Sequence, residues 1–248
     1  MNNAARFDGR GEVYAKARPR YAAELFDYLK NSLGIPEGSV FADIGSGTGI
    51  FTEQLLRCGY RVWAVEPNAD MRRRAEEALS GYEGFVSVEG TDSCTGLPDA
   101  CADCVSAAQA FHWFDPEAFR SECRRILKPG GRVILVYNNR DKDSGPMRAL
   151  AAVRRRFNPR FHGFSEGIRD EDCRAFFGGA CEVFRAGNSQ TYDRDGFLAR
   201  ELSSSYSLRP DDGRYGEYLT EIRQIFDAFA AGGVLTVPTE TAAFIGTV

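Results

Sequence analysis

Three glycines at every second position, Gly45, Gly47 and Gly49, follow a short apolar run, Val40-Phe41-Ala42-Asp43-Ile44, that carries one acid near its end. Behind them Phe51, Leu55 and Leu56 recur at helical spacing. The pattern predicts a strand, a tight turn and a helix in immediate succession. Glycine tolerates the left-handed backbone such a turn needs and lets the chain approach a ligand closely. The helix behind the turn presents unpaired N–H groups and its positive end to whatever lies there. A turn built for a dinucleotide pyrophosphate spaces its glycines G-x-G-x-x-G. Here the spacing is G-x-G-x-G and Asp43 stands just before it, which suits a ligand carrying positive charge.

The chain then alternates. Arg61–Val65, Phe85–Val88, Cys104–Ala108 and Arg132–Tyr137 read as further strands. Helical patterns lie between them on Met71, Ala75 and Leu79, and on Phe119, Cys123, Ile126 and Leu127. An earlier helix is expected from Pro19 or Arg20 to Leu33, and Lys128-Pro129-Gly130-Gly131 reads as a break. Alternation of this kind predicts an α/β fold, a Rossmann-like doubly wound sheet of five parallel strands. After Asn139 the pattern changes. Residues 140–178 read as charged and irregular, then come a strand near Cys181–Ala186 and helices near 194–202 and 215–229. The threonine- and valine-rich end, Val234 to Val248, predicts an antiparallel closing strand. We expect a single domain over 1–248. About 10–140 forms the ligand-binding core, about 140–231 contains helical insertions over the ligand face, and 232–248 closes the sheet.

Composition narrows the partners. Formal net charge is −4 and the sequence pI is about 5.4, so no global attraction to nucleic acid or to an anionic membrane is expected. No apolar run approaches the ~20 residues of a membrane span, and the polar start, Met1 to Arg10, is unlike a signal peptide. Seven scattered cysteines predict reduced thiols and a cytoplasmic location. Cys101 and Cys104 form one C-x-x-C without a second pair to complete a zinc site, so no metal is expected.

The chemistry gathers at strand ends. Glu66 closes the second strand about 20 residues past the turn, where one carboxylate can accept from both hydroxyls of a ribose. The two acids therefore frame one nucleoside, with its ribose at Glu66 and its tail at Gly45, Gly47 and Asp43. In an open parallel sheet the third and fourth strand ends share that site. Thr91, Asp92 and Ser93 could meet a purine edge, and Gln109 would lie near the tail.

Several segments together resemble the class I S-adenosylmethionine-dependent methyltransferases, in particular the type 11 small-molecule branch with its trans-aconitate methyltransferase-like proteins. They are Phe41-Ala42-Asp43-Ile44-Gly45-Ser46-Gly47-Thr48-Gly49, Ala64-Val65-Glu66-Pro67-Asn68 with Met71, Gly90-Thr91-Asp92, Ala108-Gln109-Ala110-Phe111-His112-Trp113-Phe114 and Leu127-Lys128-Pro129-Gly130-Gly131. The entry Tyr14…Arg18-Pro19-Arg20-Tyr21 is similar too. The resemblance implies S-adenosyl-L-methionine as cofactor and S-adenosyl-L-homocysteine as product. It implies that Gly45, Ser46, Gly47 and Thr48 wrap the methionine portion with Asp43 behind them. Glu66 would hold the ribose, Pro67 and Met71 would flank the adenine, and Thr91, Asp92 and Ser93 would meet its edge. Tyr14 and Arg18 would close over the cofactor, with Arg18 a partner for its carboxylate. This sequence has Asp92-Ser93 where relatives often carry Ala-Glu.

A sulfonium already activates its methyl group, so alignment of the acceptor is the main task. An acceptor of high pKa would need a base, and His112 stands nearest the cofactor face; His162 lies in the insertion. A carboxylate acceptor would need arginines instead, and Arg154, Arg155, Arg156 and Arg160 are available, although a charge run on a helix is usually a solvated face. Two other readings are a nicotinamide-dependent oxidoreductase, which Glu66 fits and the glycine spacing does not, and a non-catalytic module that only binds the cofactor.

Overall fold

A computed structural model of the chain describes residues 20–161, 163, 169–204 and 206–248. The first strand, β1 (Val40–Ile44), pairs in parallel with β2 (Arg61–Val65) on one side and β4 (Ala102–Ala108) on the other. Beyond β2 lies β3 (Phe85–Val88), and beyond β4 lies β5 (Leu127–Arg140). These are the five parallel strands. β9 (Thr239–Gly246) runs antiparallel to β5, and β6 (Glu182–Gly187) runs antiparallel to β9 and so parallel to the first five; together they complete a sheet ordered β3-β2-β1-β4-β5-β9-β6, in which β9 alone is reversed.

The helices cover both faces because successive side chains of a strand point to opposite sides. On one face α1 (Ala23–Asp27, extended by a π-helical turn, Tyr28–Ser32) and α2 (Ile50–Arg57) bury Leu25, Phe26, Leu29, Phe51 and Leu55 against Phe41, Val62, Ile134 and Val136. On the other, α4 (Pro116–Ile126) buries Phe119, Cys123 and Ile126 against Ala42, Val105, Val133 and Leu135. The helix between β2 and β3, α3 (Ala69–Leu79), is capped by Asn68, whose side chain accepts from the Met71 amide at 3.0 Å. That bond satisfies one of the four orphan amides of the helix start.

Residues 140–178 differ from the sequence expectation. They contain two helices, α5 (Gly145–Phe157) and α6 (Asp170–Phe176). Their charge masks an amphipathic stripe, with Met147, Leu150, Val153 and Phe157 buried on α5. α6 leaves the insertion and packs Cys173 and Phe176 onto the sheet core. A third apolar cluster joins α5 to α7 (Arg194–Leu202), α8 (Tyr215–Phe229) and a small hairpin of β7 (Gln190–Tyr192) with β8 (Leu235–Val237). The closing segment is thus two strands, divided at Pro238, which carries no N–H for a ladder. Two boundaries also move. α1 begins at Ala23 rather than at Pro19 or Arg20, and β5 begins at Leu127, so Lys128–Gly131 ends a helix but continues as strand through a register shift.

The third cluster connects to the sheet where β5, β9 and β6 end side by side. The Asp141 amide donates to the Pro238 carbonyl at 2.9 Å and the Asn188 amide to the Thr239 carbonyl at 2.7 Å. The side chains of Asn138, Asn188 and Thr241 bond one another there, and both asparagines donate to the Arg20 carbonyl.

Candidate cofactor and acceptor site

The turn between β1 and α2 is built from left-handed glycines, with φ of 69° at Gly45, 58° at Gly47 and 82° at Gly49. Space decides two of them differently. A Cβ on Gly45 would lie 2.8 Å from that of Ala110 and 3.2 Å from the Phe114 ring, so the turn and the segment after β4 touch backbone to side chain. A Cβ on Gly47 would meet only the Met71 sulfur, at 3.8 Å. Gly47 therefore faces an open cradle floored by Met71.

Glu66 ties the turn to the end of β2. Its Oε2 accepts from the Gly47 amide and its Oε1 from the Asn68 amide, each at 2.9 Å. The amides of Gly45 and Ser46 both donate to the Val65 carbonyl. Burial pushes the Glu66 carboxyl above its ordinary pKa, against the two amides and the Arg72 guanidinium. Each carboxylate oxygen retains lone pairs beyond these bonds, which is what a ribose diol requires.

Asp43 lies beneath the turn. It is 1% exposed; its Oδ2 accepts from the Thr52 hydroxyl at 2.6 Å and its Oδ1 from the Ser106 hydroxyl at 2.8 Å. Burial raises its pKa to about 6, against both hydroxyls, and the nearby Glu66 charge raises it further. Asp43 and Glu66 thus act on one region. The oxygens of Asp43, however, are occupied by hydroxyl donors, so it supplies negative potential through the turn. Thr48 is buried in the same turn, and its hydroxyl has no hydrogen-bond partner.

Pro67 is exposed beside Glu66, and Met71 is buried. Thr91, Asp92 and Ser93 follow β3 in a turn closed by the Thr91 amide on the Cys94 carbonyl at 2.9 Å. Asp92 also accepts from the Asp115 amide at 3.2 Å, and burial moves its pKa upward. Gln109, just past β4, has φ of 55°, unusual for a residue with a side chain. Its backbone amide donates to the Val136 carbonyl and its side chain to the Asn138 carbonyl at 3.0 Å. His112 sits in a 3-10 turn (Phe111–Trp113), exposed, its ring centroid 4.6 Å from that of Trp113 and 6.2 Å from that of Tyr137. Phe111 and Phe114 pack into the core with Phe119. Tyr14, Arg18 and His162 lie outside the described residues.

The arginines of α5 divide. Arg154 is 3% exposed and pairs with Glu201 at 2.6 Å, so it belongs to no solvated face. Phe157 and Phe161 are buried. Sequence reasoning missed the rest of this group. Arg140, the last residue of β5, reaches the other Glu201 oxygen at 3.1 Å. Burial pushes the Glu201 carboxyl up, but Arg140, Arg154 and Arg200 together hold it below the ordinary range. Only proximity in space, not spacing in sequence, reveals that convergence. Among the described residues no group of acids, cysteines and histidines is arranged to hold a metal, and no helix is long and apolar enough to cross a membrane.

A strand-end carboxylate clamped to a glycine turn, with a second acid beneath it, is the arrangement that the resemblance to the class I S-adenosylmethionine-dependent methyltransferases leads one to expect. The sheet order, with its antiparallel strand inserted beyond β5, accords with that class. Residues 42–135 match the family described as methyltransferase domain. An uncharacterized methyltransferase of Mycobacterium tuberculosis is 37% identical over 142 residues, covering 57% of this chain and 55% of its own. A methyltransferase-like protein of Schizosaccharomyces pombe is 32% identical over 129 residues, covering 52% and 49%. The chain spans about half the length of the curated relatives it matches. In fold it is similar to a structure from Anaeromyxobacter dehalogenans assigned as a type II methyltransferase, with TM-score 0.67, 23% identity and coverage of 93% of this chain and 97% of that one. It is also similar to a Geobacter sulfurreducens methyltransferase solved with S-adenosyl-L-homocysteine, with TM-score 0.52, 16% identity and coverage of 94% and 96%.

Proposed function

We propose that the chain moves the methyl group of S-adenosyl-L-methionine to a small-molecule acceptor by in-line displacement. The observation that carries this reading is the Glu66 carboxylate joined to the Gly47 amide at 2.9 Å across the carboxyl ends of β1 and β2. The cofactor, when bound, supplies an activated methyl group on a sulfonium. Glu66 accepts from the ribose hydroxyls. The Gly47 cradle and the unpartnered Thr48 hydroxyl leave room and a polar contact for the methionine portion, and Met71 floors the adjoining space. Pro67 flanks the adenine; Thr91, Asp92 and Ser93 meet its edge. Gln109, whose side chain donates to the Asn138 carbonyl, would lie near the tail of the cofactor. For an acceptor that must lose a proton, exposed His112 is in place to take it.

The acceptor class we favour is a carboxylate, which needs no base. Arg140 at the end of β5, with Arg154 and Arg200 around Glu201, supports that choice, because a positive field there stabilises an anion. The seven cysteines, all free, support a reducing cytoplasmic setting. The test uses S-adenosylmethionine labelled in its methyl group and a metabolite extract. Label should appear in small-molecule products. Label confined to protein or nucleic acid, or absent altogether, would overturn the proposal.

A further inference from the structure

We infer that Arg72 is a positioning residue for the cofactor: it fixes the turn after β2 that aims Glu66. The sequence offers Arg72-Arg73-Arg74 as one basic run on α3, and the structure separates them. Arg73 and Arg74 pair along the helix with Asp70, and Arg73 also with Glu77. Arg72 turns back instead, with its side chain 15% exposed. Its Nη1 donates to the carbonyls of Glu66 and Pro67, both at 2.9 Å, and its Nη2 to Glu89 Oε2 at 2.8 Å.

Those contacts form a chain. Two carbonyls held by one planar guanidinium fix the orientation of the Glu66 and Pro67 peptides. The next amide, that of Asn68, then points at Glu66 Oε1, and Glu66 Oε2 takes the Gly47 amide. Asn68 is also the cap of α3, so the helix that carries Arg72 starts from the turn that Arg72 holds. Glu89 follows the last residue of the neighbouring strand β3, so one side chain ties the segments after two strand ends together. Among the described residues Arg72 is also the cation that acts on the Glu66 carboxyl and opposes its burial. Arg72 itself need not touch the ligand. It works through Glu66, which must be both aimed and ionised.

The inference rests on the assignment of Glu66 to the ribose, and the test separates the two. S-adenosylhomocysteine is titrated calorimetrically into the wild type, Arg72→Gln, Glu66→Gln and the double variant, near pH 8 and near pH 6. Glu66→Gln should weaken binding; if it does not, the ribose assignment fails independently of Arg72. Arg72→Gln should weaken binding about tenfold near pH 8. The loss should widen toward lower pH, because Glu66 without its cation takes up a proton more readily; Asp43, the other acid beside it, is present in every variant, and the Glu66→Gln control reads its share. The double variant should bind no worse than Glu66→Gln alone. Arg72→Lys, which keeps the charge and loses the fork, should fall between wild type and Arg72→Gln and serves if the latter unfolds. Additive losses, a loss that ignores pH, or wild-type affinity in Arg72→Gln would each overturn the inference.

Discussion

At the scale of single residues the site is a balance between burial and charge. Asp43 is an acid that folding disfavours in its charged form. Its pKa rises from 3.8 to about 6, so the folded chain holds a proton through that window that the unfolded chain releases. Stability is therefore lost as pH rises from about 4 to about 6, by a total of about 3 kcal/mol above it. Asp43→Asn should raise the melting temperature of the free protein at pH 8, with the gain shrinking as pH falls toward 5. It should also weaken binding of the charged cofactor. A gain independent of pH, or a loss of stability, would contradict this origin of the strain. Gly45 makes a second case. Its φ of 69° and the 2.8 Å approach to Ala110 make Gly45→Ala both strained and crowded. Circular-dichroism melting should show a loss of about 1–3 kcal/mol, together with weaker S-adenosylhomocysteine binding. Gly47→Ala, with nothing nearer than the Met71 sulfur at 3.8 Å, should keep more of the stability yet still fill the cradle.

At the scale of elements, what the sequence revealed was local. Asp43, the glycines and Glu66 announce themselves because a strand, a turn and a helix follow one another without interruption. The insertion was harder, since its charge concealed helices. Arg154 sits in a run of three arginines, and only the fold turns it inward to Glu201. β7 was missed because three residues cannot show a period. Arg140, Arg154 and Arg200 come from β5, α5 and α7, so no window along the chain contains them with Glu201. Replacing Glu201 by leucine removes the carboxylate on which those guanidiniums converge. Urea unfolding should register about 3 kcal/mol of destabilisation, since breaking a buried ion pair costs more than forming it gains. A change below about 1 kcal/mol would mean that the pairing is incidental.

At the scale of the whole molecule, two faces of one sheet carry the core, and a third cluster rises where β5, β9 and β6 end together. The sheet order puts the glycine turn at the end of β1 and Arg140 at the end of β5, with β4 between them, so both open at the carboxyl ends of the parallel strands. Coupling of this kind has a simple consequence. S-adenosylhomocysteine at a hundredfold excess over its Kd should stabilise the native chain by about 2.7 kcal/mol, or roughly 5–10 °C in Tm. The same excess of NADH should leave the melting curve unmoved. The most direct measurement is a crystal structure of the chain with S-adenosylhomocysteine. Both ribose hydroxyls should lie within hydrogen-bond distance of the Glu66 carboxylate, with the homocysteine portion against Gly47. A ribose bound elsewhere, or a Glu66 carboxylate turned away from the ligand, would contradict that placement.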